Sequence, residues 1–235
     1  MNAVFVVTSA IRTEMGAYSY AQRLNQTLAT LVSIRRHVPG ARVALIEMSL
    51  DPLDDETSDQ LCGLVDWYVT LSDPSIEALR PDVVGPYHVK QITELISLRE
   101  FLAHAERTRL LIDADRIFKL SGRYWLTDDF SLERFDVPGA FVLKHAQPSR
   151  INTAATGGIP MRHTSRLWSF DASMLNAVQD LLDRMIGSMT SPMTLKGRVD
   201  IDHLLFHHIP KNCKHTLYLV GVAGDTAEGG ERFFA

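Results

Sequence analysis

Hydrophobic and polar positions in the first half of the chain follow a pattern that predicts strands and helices in turn. AVFVVTSAI is a continuous apolar run, typical of a strand buried on both faces, and ARVALIEMS and DWYVTLS predict two further strands. Apolar residues recur at helical spacing over 19–37, where Leu24, Leu28 and Leu31 share one side, and again over 86–104. A short helix is expected after the acidic segment LDPLDDETSD. This alternation predicts an α/β fold with a mainly parallel sheet and right-handed crossovers.

The second half of the chain has a more mixed pattern. GAFVLKHA, MRHTSRLWSFDAS and TLYLVGVAG predict strands, whereas SMLNAVQDLLDRMIGSM and DIDHLLFHHI predict helices. The pattern changes near 130–138, but no flexible linker marks a boundary. We therefore predict one domain over 1–235, with its parallel half over 1–130 and its mixed half over 131–235. Open α/β sheets bind nucleotides at the carboxyl ends of their parallel strands, which assigns nucleotide binding to the first half.

Composition narrows the classes of function. A chain of 235 residues with 46% hydrophobic residues can bury one sizeable core. Its 24 Lys and Arg against 28 Asp and Glu give a net charge of −4, so no global charge attracts nucleic acid. Cys62 and Cys213 are too few for a disulfide framework or a zinc site, which weakly favours a reducing compartment. No apolar run approaches the roughly 20 residues that span a bilayer, and the apolar start lacks the basic flank of a signal peptide. We expect a soluble, cytoplasmic protein.

Two carboxylates interrupt the apolar run in RLLIDADRIFKL. If a strand leads in from Leu110, Asp113 and Asp115 lie at its carboxyl end and point to the same face. Two hard oxygen ligands suit Mg²⁺ or Mn²⁺, which would bridge to a diphosphate. The alternative is a surface turn in which Asp115 pairs with Arg109 or Arg116.

These motifs resemble a known family. An Asp-x-Asp after RLLI, in an α/β amino-terminal half of this size, resembles the nucleotide-sugar-dependent glycosyltransferases of the GT-A fold. FKLSGRYWL is similar to the Lys-x-Ser-Gly-Arg-Tyr segment of small bacterial and phage-encoded proteins of that type. VDIDHLLFHHIP, followed by LYLVGVAGDTAEGG, resembles the ending of those chains. The resemblance implies a GT-A-like fold with an acceptor-binding half over 131–235. It also implies metal-assisted transfer from a nucleoside-diphosphate sugar to a glycan or lipid-linked saccharide.

One departure from the family pattern bears on the metal. Asp113 and Asp115 stand only a few residues before the KLSGRY run, so the two motifs cannot both mark separate strand ends. If the run carries the family function, the two aspartates are incidental.

The resemblance also places the end of the first strand beside the nucleotide. Thr8 and Ser9 would then bond the base or the ribose, and Arg12 would meet a phosphate through its guanidinium fork. The alternative is an ordinary strand-to-loop turn with a solvated arginine.

The KLSGRY run presents polar side chains on one face of a strand. Lys119, Ser121 and Arg123 alternate with apolar residues, and Gly122 permits close approach of another backbone. Lys119 and Arg123 would supply positive charge for a diphosphate or an anionic acceptor. The alternative is a strand turn in which Arg123 pairs with an acidic neighbour.

The segment DIDHLLFHHI carries carboxylates and histidines on a predicted helix. The resemblance implies that Asp200 or Asp202 deprotonates the acceptor hydroxyl and that His203 is a third metal ligand. His203 and His207, at positions i and i+4, could clamp a metal, but two histidines alone make an incomplete zinc site. The alternative is a surface helix with one apolar side buried.

Two other functions stay open. A sugar-nucleotidyltransferase shares the architecture, but SAIRTEMGAYS after the first strand has one glycine rather than a Gly-rich activating loop. The other is a non-catalytic relic of the fold that binds a ligand or a partner. Calorimetry with nucleoside diphosphates, with and without Mn²⁺, separates the relic from the transferase.

Overall fold

The computed structural model describes residues 1–13, 17–49, 51–70, 85–191, 197–225 and 232–235. The helices in this part of the chain are α1 (Tyr20–His37), α2 (Asp55–Cys62), α3 (Pro86–Arg107), α4 (Leu175–Met189) and α5 (Ile201–His208). The strands are β1 (Ala3–Ser9), β2 (Arg42–Glu47), β3 (Trp67–Thr70), β4 (Arg116–Ser121), β5 (Tyr124–Leu126), β6 (Phe141–Lys144), β7 (Gln147–Pro148), β8 (Met161–Arg162), β9 (Leu167–Asp171), β10 (Lys214–Leu217), β11 (Val222–Asp225) and β12 (Arg232–Phe234). None of the described helices is both long and apolar enough to cross a membrane.

Seven of the described strands form one sheet, in the order β10-β6-β9-β4-β1-β2-β3. β1 pairs in parallel with β2 and with β4, and β2 pairs in parallel with β3. β9 runs antiparallel between β4 and β6, whereas β6 and β10 are parallel. The mainly parallel sheet and its mixed carboxyl-terminal half are therefore confirmed. A second sheet joins β12, β11 and β5, and β7 pairs with β8.

Helices cover both faces of this sheet, which explains why its strands are continuous apolar runs. Every residue of β1 is buried. Successive side chains point to opposite faces, so Val4 and Val6 pack in the core under α3 and α4. Phe5 and Val7 belong to the other core, which includes Leu31 of α1. The apolar run of β1 thus marks a central strand with no solvated face, whereas the edge strands β3 and β10 are partly exposed.

β4 begins later than the sequence suggests. Residues 109–114 form turns after α3, and the strand starts at Arg116. The aspartates therefore lie before β4, at the amino edge of the sheet, and their predicted place at its carboxyl end is wrong. Asp115 Oδ2 accepts a hydrogen bond from the Asn2 amide at 2.6 Å and lies 4.0 Å from the Met1 amino group. The apolar lead-in misled the prediction because Leu111 is buried in the core from a turn rather than from a strand.

The predicted last strand, TLYLVGVAG, is divided into β10 and β11. Gly221, between the two, has φ +70°, a conformation that L side chains rarely adopt. A Cβ at this position would lie 2.3 Å from the backbone nitrogen of Phe130. The chain turns here, so that β10 joins the edge of the large sheet and β11 pairs with β5.

Candidate functional site at the carboxyl edge of the sheet

The centre of the large sheet contains a topological switch point. The strand order reverses there, because β2 and β3 follow β1 on one side of it and β4 lies on the other. Such a switch opens a crevice at the carboxyl ends of the strands, where open α/β proteins bind ligands. Thr8 near the end of β1 stands opposite Ser121 at the end of β4, and Ser9 stands opposite Glu47 of β2.

A buried ion pair between Lys119 and Glu94 forms the centre of this edge. Lys119 is 2% exposed, and its ammonium pairs with the Glu94 carboxylate of α3. The same ammonium donates to Ser121 Oγ at 2.7 Å and to the Ser165 carbonyl at 3.3 Å. Glu94 also accepts a hydrogen bond from Thr8 Oγ1 at 3.1 Å. This network joins β1, β4 and α3 below the crevice.

Glu94 stays ionised despite its burial. Burial by itself would raise the pKa of this carboxyl, but the charge and hydrogen bond of Lys119 lower it. The charge of Lys90 and the hydrogen bond from Thr8 act in the same direction, and the net pKa of Glu94 is below its ordinary value. Lys119 is therefore committed to a protein carboxylate.

Two further cations, Lys90 and Arg123, lie near this network. Lys90 is half-buried and lies one helical turn before Glu94 in α3, while Arg123 follows β4 directly and lies over the Tyr124 ring at 5.9 Å. In the described part of the chain, neither the Lys90 ammonium nor the Arg123 guanidinium has a hydrogen-bond or ion-pair partner. Burial, together with the positive charge of Arg123, lowers the pKa of Lys90 to about 8.

Gly122 lets the end of β4 approach β1 closely. Its amide donates to the Thr8 carbonyl at 2.8 Å, and its carbonyl accepts from Thr27 Oγ1 of α1 at 3.2 Å. A Cβ at Gly122 would lie 3.1 Å from the Thr8 carbonyl oxygen and 3.1 Å from Ser9 Cβ. The glycine in the KLSGRY run thus permits this close approach, which positions the backbone directly before Arg123.

The loop after β1 is held by buried polar groups. The Ser9 hydroxyl donates to the Glu47 carboxylate, which also accepts from the Ile11 amide at 2.9 Å. Arg23 of α1 donates to the Ala10 carbonyl at 3.2 Å from the opposite side. Ser9 therefore acts in this structure as a support of the loop, since its hydroxyl is engaged by protein.

Arg12 points away from the centre of the crevice. Its guanidinium donates to the Pro52 carbonyl at 2.6 Å and lies 4.0 Å from the Asp54 carboxylate. It also lies over the Tyr20 ring at 5.7 Å. The structure thus places Arg12 against the loop before α2, apart from Lys119 and Arg123.

Asp202 reaches the central network through Ser165. One oxygen of its carboxylate accepts from the Ser165 amide at 2.8 Å, and the other lies 3.6 Å from the Arg162 guanidinium. The carbonyl of Ser165 accepts from Lys119, so a single residue joins Asp202 to the ion pair. Burial, reinforced by the charge of Asp200, raises the pKa of Asp202.

Asp200 and His203 are engaged with each other. Asp200 caps α5 by accepting from the His203 amide at 3.0 Å, and the same oxygen lies 2.5 Å from His203 Nδ1. His203 Nε2 lies 2.8 Å from Ser149 Oγ, and the side chain is fully buried. Both ring nitrogens therefore have protein partners.

The residues predicted as metal ligands do not come together. Asp113 and Asp115 lie at the amino edge of the sheet, whereas His203 is buried in α5. In the residues that the structure describes, no three His, Cys, Asp or Glu side chains form a group able to hold a metal ion. The donor set there does not fit a hard divalent cation, which needs several oxygen ligands.

The structure gathers some of the predicted site residues and separates others. Thr8, Lys119 and Ser121 share the ion-pair network, and Asp202 joins it through Ser165. The sequence interpretation did not include Lys90 and Glu94, which complete the site. Their signal was available, because opposite charges four residues apart lie on one side of a helix otherwise rich in apolar residues.

No protein-family model matches this sequence, and no curated protein matches it. The structure does resemble solved glycosyltransferases. One is core-mannan synthase A (CmsA/Ktr4) from Aspergillus fumigatus in its Mn/GDP form, with a TM-score of 0.55 and 8% identity over 96% of this chain and 74% of that one. Another is the mannosyltransferase Ktr4p from S. cerevisiae in complex with GDP, with a TM-score of 0.56 and 7% identity over 92% of this chain and 68% of that one. The chain therefore shares the fold of these proteins, and the predicted GT-A-like α/β architecture is confirmed.

Proposed function

We propose that this chain is a glycosyltransferase that moves a sugar from a nucleoside-diphosphate sugar to a hydroxyl of a glycan or a lipid-linked saccharide. One observation carries the proposal. Polar and charged groups of β1, β4 and α3 converge at the switch point of a sheet whose fold is shared with a core-mannan synthase and a mannosyltransferase, both solved with GDP. Fold alone does not define an activity, so the proposal depends on this site. The cytoplasmic location stays a prediction.

We assign the donor to the first half of the chain and the acceptor to the second. Lys90 and Arg123 lie in 1–130 and offer positive charge to a diphosphate. Asp202 lies in 131–235 and is joined to the network by Ser165. We keep the boundary between the halves where the sequence predicts it, between residues 130 and 131.

In the proposed reaction, the Asp202 carboxylate takes the proton of the acceptor hydroxyl. The acceptor oxygen bonds to the anomeric carbon, whose bond to the diphosphate oxygen breaks. The nucleoside diphosphate leaves with that electron pair, and its negative charge is met by Lys90 and Arg123. A base works best when its pKa lies near the working pH, and the raised pKa of Asp202 acts in this direction. Asp200 is assigned a supporting role, because it caps α5 and binds His203.

A donor screen tests this proposal. The protein is incubated with common nucleotide sugars, and release of the nucleoside diphosphate is measured with and without added saccharide acceptors. We expect Asp202→Asn to lower turnover by about 10²–10⁴-fold, the usual contribution of a general base. Nucleotide affinity should stay unchanged, since an asparagine still accepts from the Ser165 amide.

The matched control is Asp180→Asn, which removes an exposed carboxylate from α4 and should leave turnover unchanged. Full turnover in Asp202→Asn would show that Asp202 is not the base, but it would leave the proposed transferase activity in place. Binding of nucleoside diphosphates without turnover of any nucleotide sugar would favour the non-catalytic relic.

A further inference from the structure

We propose that this chain neutralises the diphosphate of its donor with the Lys90 ammonium and the Arg123 guanidinium, without a divalent metal. The inference rests on the proposed function, because it concerns how the same site holds its nucleotide. It departs from the metal-assisted mechanism that the sequence resemblance implies. It also assigns binding roles to Lys90, which the sequence interpretation did not include, and to Arg123.

The end of β4 carries the first argument. In the described residues, the carboxyl end of this strand presents Lys119, Ser121 and Arg123, and the Asp-x-Asp stands at the opposite end. Asp115 is engaged by the Asn2 amide there. Lys119 is paired with Glu94, so the group that this strand end offers is the Arg123 guanidinium. A guanidinium binds anions, whereas a hard divalent cation takes oxygen ligands.

Three carboxylates near this strand end are already engaged, and one of them is Asp225 of β11, which accepts a hydrogen bond from Gln26 Nε2 at 3.4 Å. Glu94 binds Lys119, Ser121 and Thr8, and Glu47 holds the loop after β1 through Ser9 and the Ile11 amide. Moving either carboxylate onto a metal would break buried hydrogen bonds, each of which is costly to leave unmade.

In the described residues, the side chains of Lys90 and Arg123 lack the ion-pair partner that a partly buried cation usually has. A half-buried ammonium usually pairs with a carboxylate, because an unpaired buried charge is costly. Within the described residues, Lys90 and Arg123 have no such partner, and Arg123 lies close enough to Lys90 to lower the pKa of its ammonium. Arg23 and Lys119 add further positive charge around Lys90, with Glu94 as the opposing carboxylate. An anion with several negative charges relieves this repulsion, whereas a divalent cation increases it.

Chelation and substitution test the proposal together. UDP, GDP, ADP, CDP and dTDP are each titrated into the full chain by calorimetry, first in EDTA and then in excess MnCl₂. We expect the nucleotide that binds to have the same Kd in both buffers, within about threefold. Lys90→Met and Arg123→Lys should each weaken binding by roughly 10–100-fold in EDTA, since each removes a charged contact or its fork geometry.

Arg107→Met is the matched control, because it removes an exposed cation from the far end of the same helix. It should leave the Kd unchanged, and melting curves of all variants establish that they are folded. If Lys90→Met does not fold, the Kd of Arg123→Lys in EDTA is sufficient to test the proposal. Binding that requires Mn²⁺, or binding equally tight in both variants, overturns the inference and leaves the proposed function in place. If no nucleotide binds in either buffer, the proposed function is wrong, and the inference is wrong as well.

Discussion

Lys119 occupies a position in β4 whose neighbours, Phe118 and Leu120, are fully buried. An ammonium at such a position is tolerated because Glu94 pairs with it and Ser121 accepts a hydrogen bond from it. Strand periodicity is enough to place Lys119 and Ser121 on one face. It does not identify Glu94, which lies 25 residues earlier in another element and meets Lys119 only in the folded chain.

The Lys119–Glu94 pair yields a prediction about stability. Lys119→Met leaves a buried carboxylate without its partner, so we expect the free energy of unfolding to fall by about 3–5 kcal/mol. The double variant Lys119→Met/Glu94→Gln removes both charges and should lose less than the single variant. Urea denaturation of the wild type, both single variants and the double variant gives the coupling energy. A double variant as unstable as the sum of the two single variants would show that the two charges are independent.

β4 shows which part of an element local sequence can determine. The apolar alternation from Ile117 to Leu120 predicts a strand, and the structure has one. The start of the strand depends instead on where α3 ends and on which side chains reach the core from the following turn. Leu111 is buried from that turn, so it looks like a strand residue in the sequence. An error of a few residues in the start of β4 moves the Asp-x-Asp from one edge of the sheet to the other.

The end of β4 is set by its contact with β1, which Gly122→Ala tests. The added Cβ would lie 3.1 Å from the Thr8 carbonyl, and β1 is buried on both faces and cannot shift easily. We expect a loss of about 1–3 kcal/mol in the free energy of unfolding, together with weaker nucleotide binding because Arg123 moves. Both are measurable by denaturation and calorimetry.

Gly187→Ala is the matched control for this substitution. Gly187 lies in α4 with nothing within 4 Å of its added Cβ, and its position is exposed. Replacement of a helical glycine by alanine should stabilise the protein by about 0.5–1 kcal/mol and leave nucleotide affinity unchanged. If Gly122→Ala behaved in the same way, the close approach of β4 to β1 would not matter for the site.

The sequence predicts the fold of the whole molecule better than it predicts the site. The order of strands and helices in the first half is local information, because each element has its own apolar period. The place of β9 between β4 and β6 is a long-range pairing, so the mixed half could be anticipated only in outline. The site combines groups from α3, β4, the segment before β9 and α5, which no local pattern brings together. Asp202 was named from a resemblance, and its connection to Lys119 through Ser165 became visible only in the structure.

The linkage between ligand binding and stability gives a prediction for the whole molecule. A bound nucleoside diphosphate stabilises the folded state by about 2.7 kcal/mol when its concentration is one hundred times the Kd. If Lys90 binds the diphosphate, this stabilisation depends on pH, because the pKa of Lys90 in the free protein is about 8. Below that pH the ammonium is already charged. Above it, binding must first protonate the amine, which costs up to about 1.4 kcal/mol for each pH unit.

We therefore expect the stabilisation by a bound nucleoside diphosphate to be constant near pH 7 and to decline as the pH rises through 8 toward 9.5. The groups that face Lys90 are Arg123, Arg23, Lys119 and Glu94, and the pKa of Glu94 is held below its ordinary value, so Glu94 keeps its charge throughout this range. Urea denaturation at each pH, with and without ligand in EDTA, measures the difference directly. The same series in Lys90→Met should be independent of pH, because the titrating amine is gone. A decline that persists in Lys90→Met would assign the dependence to another group and remove Lys90 from the diphosphate site.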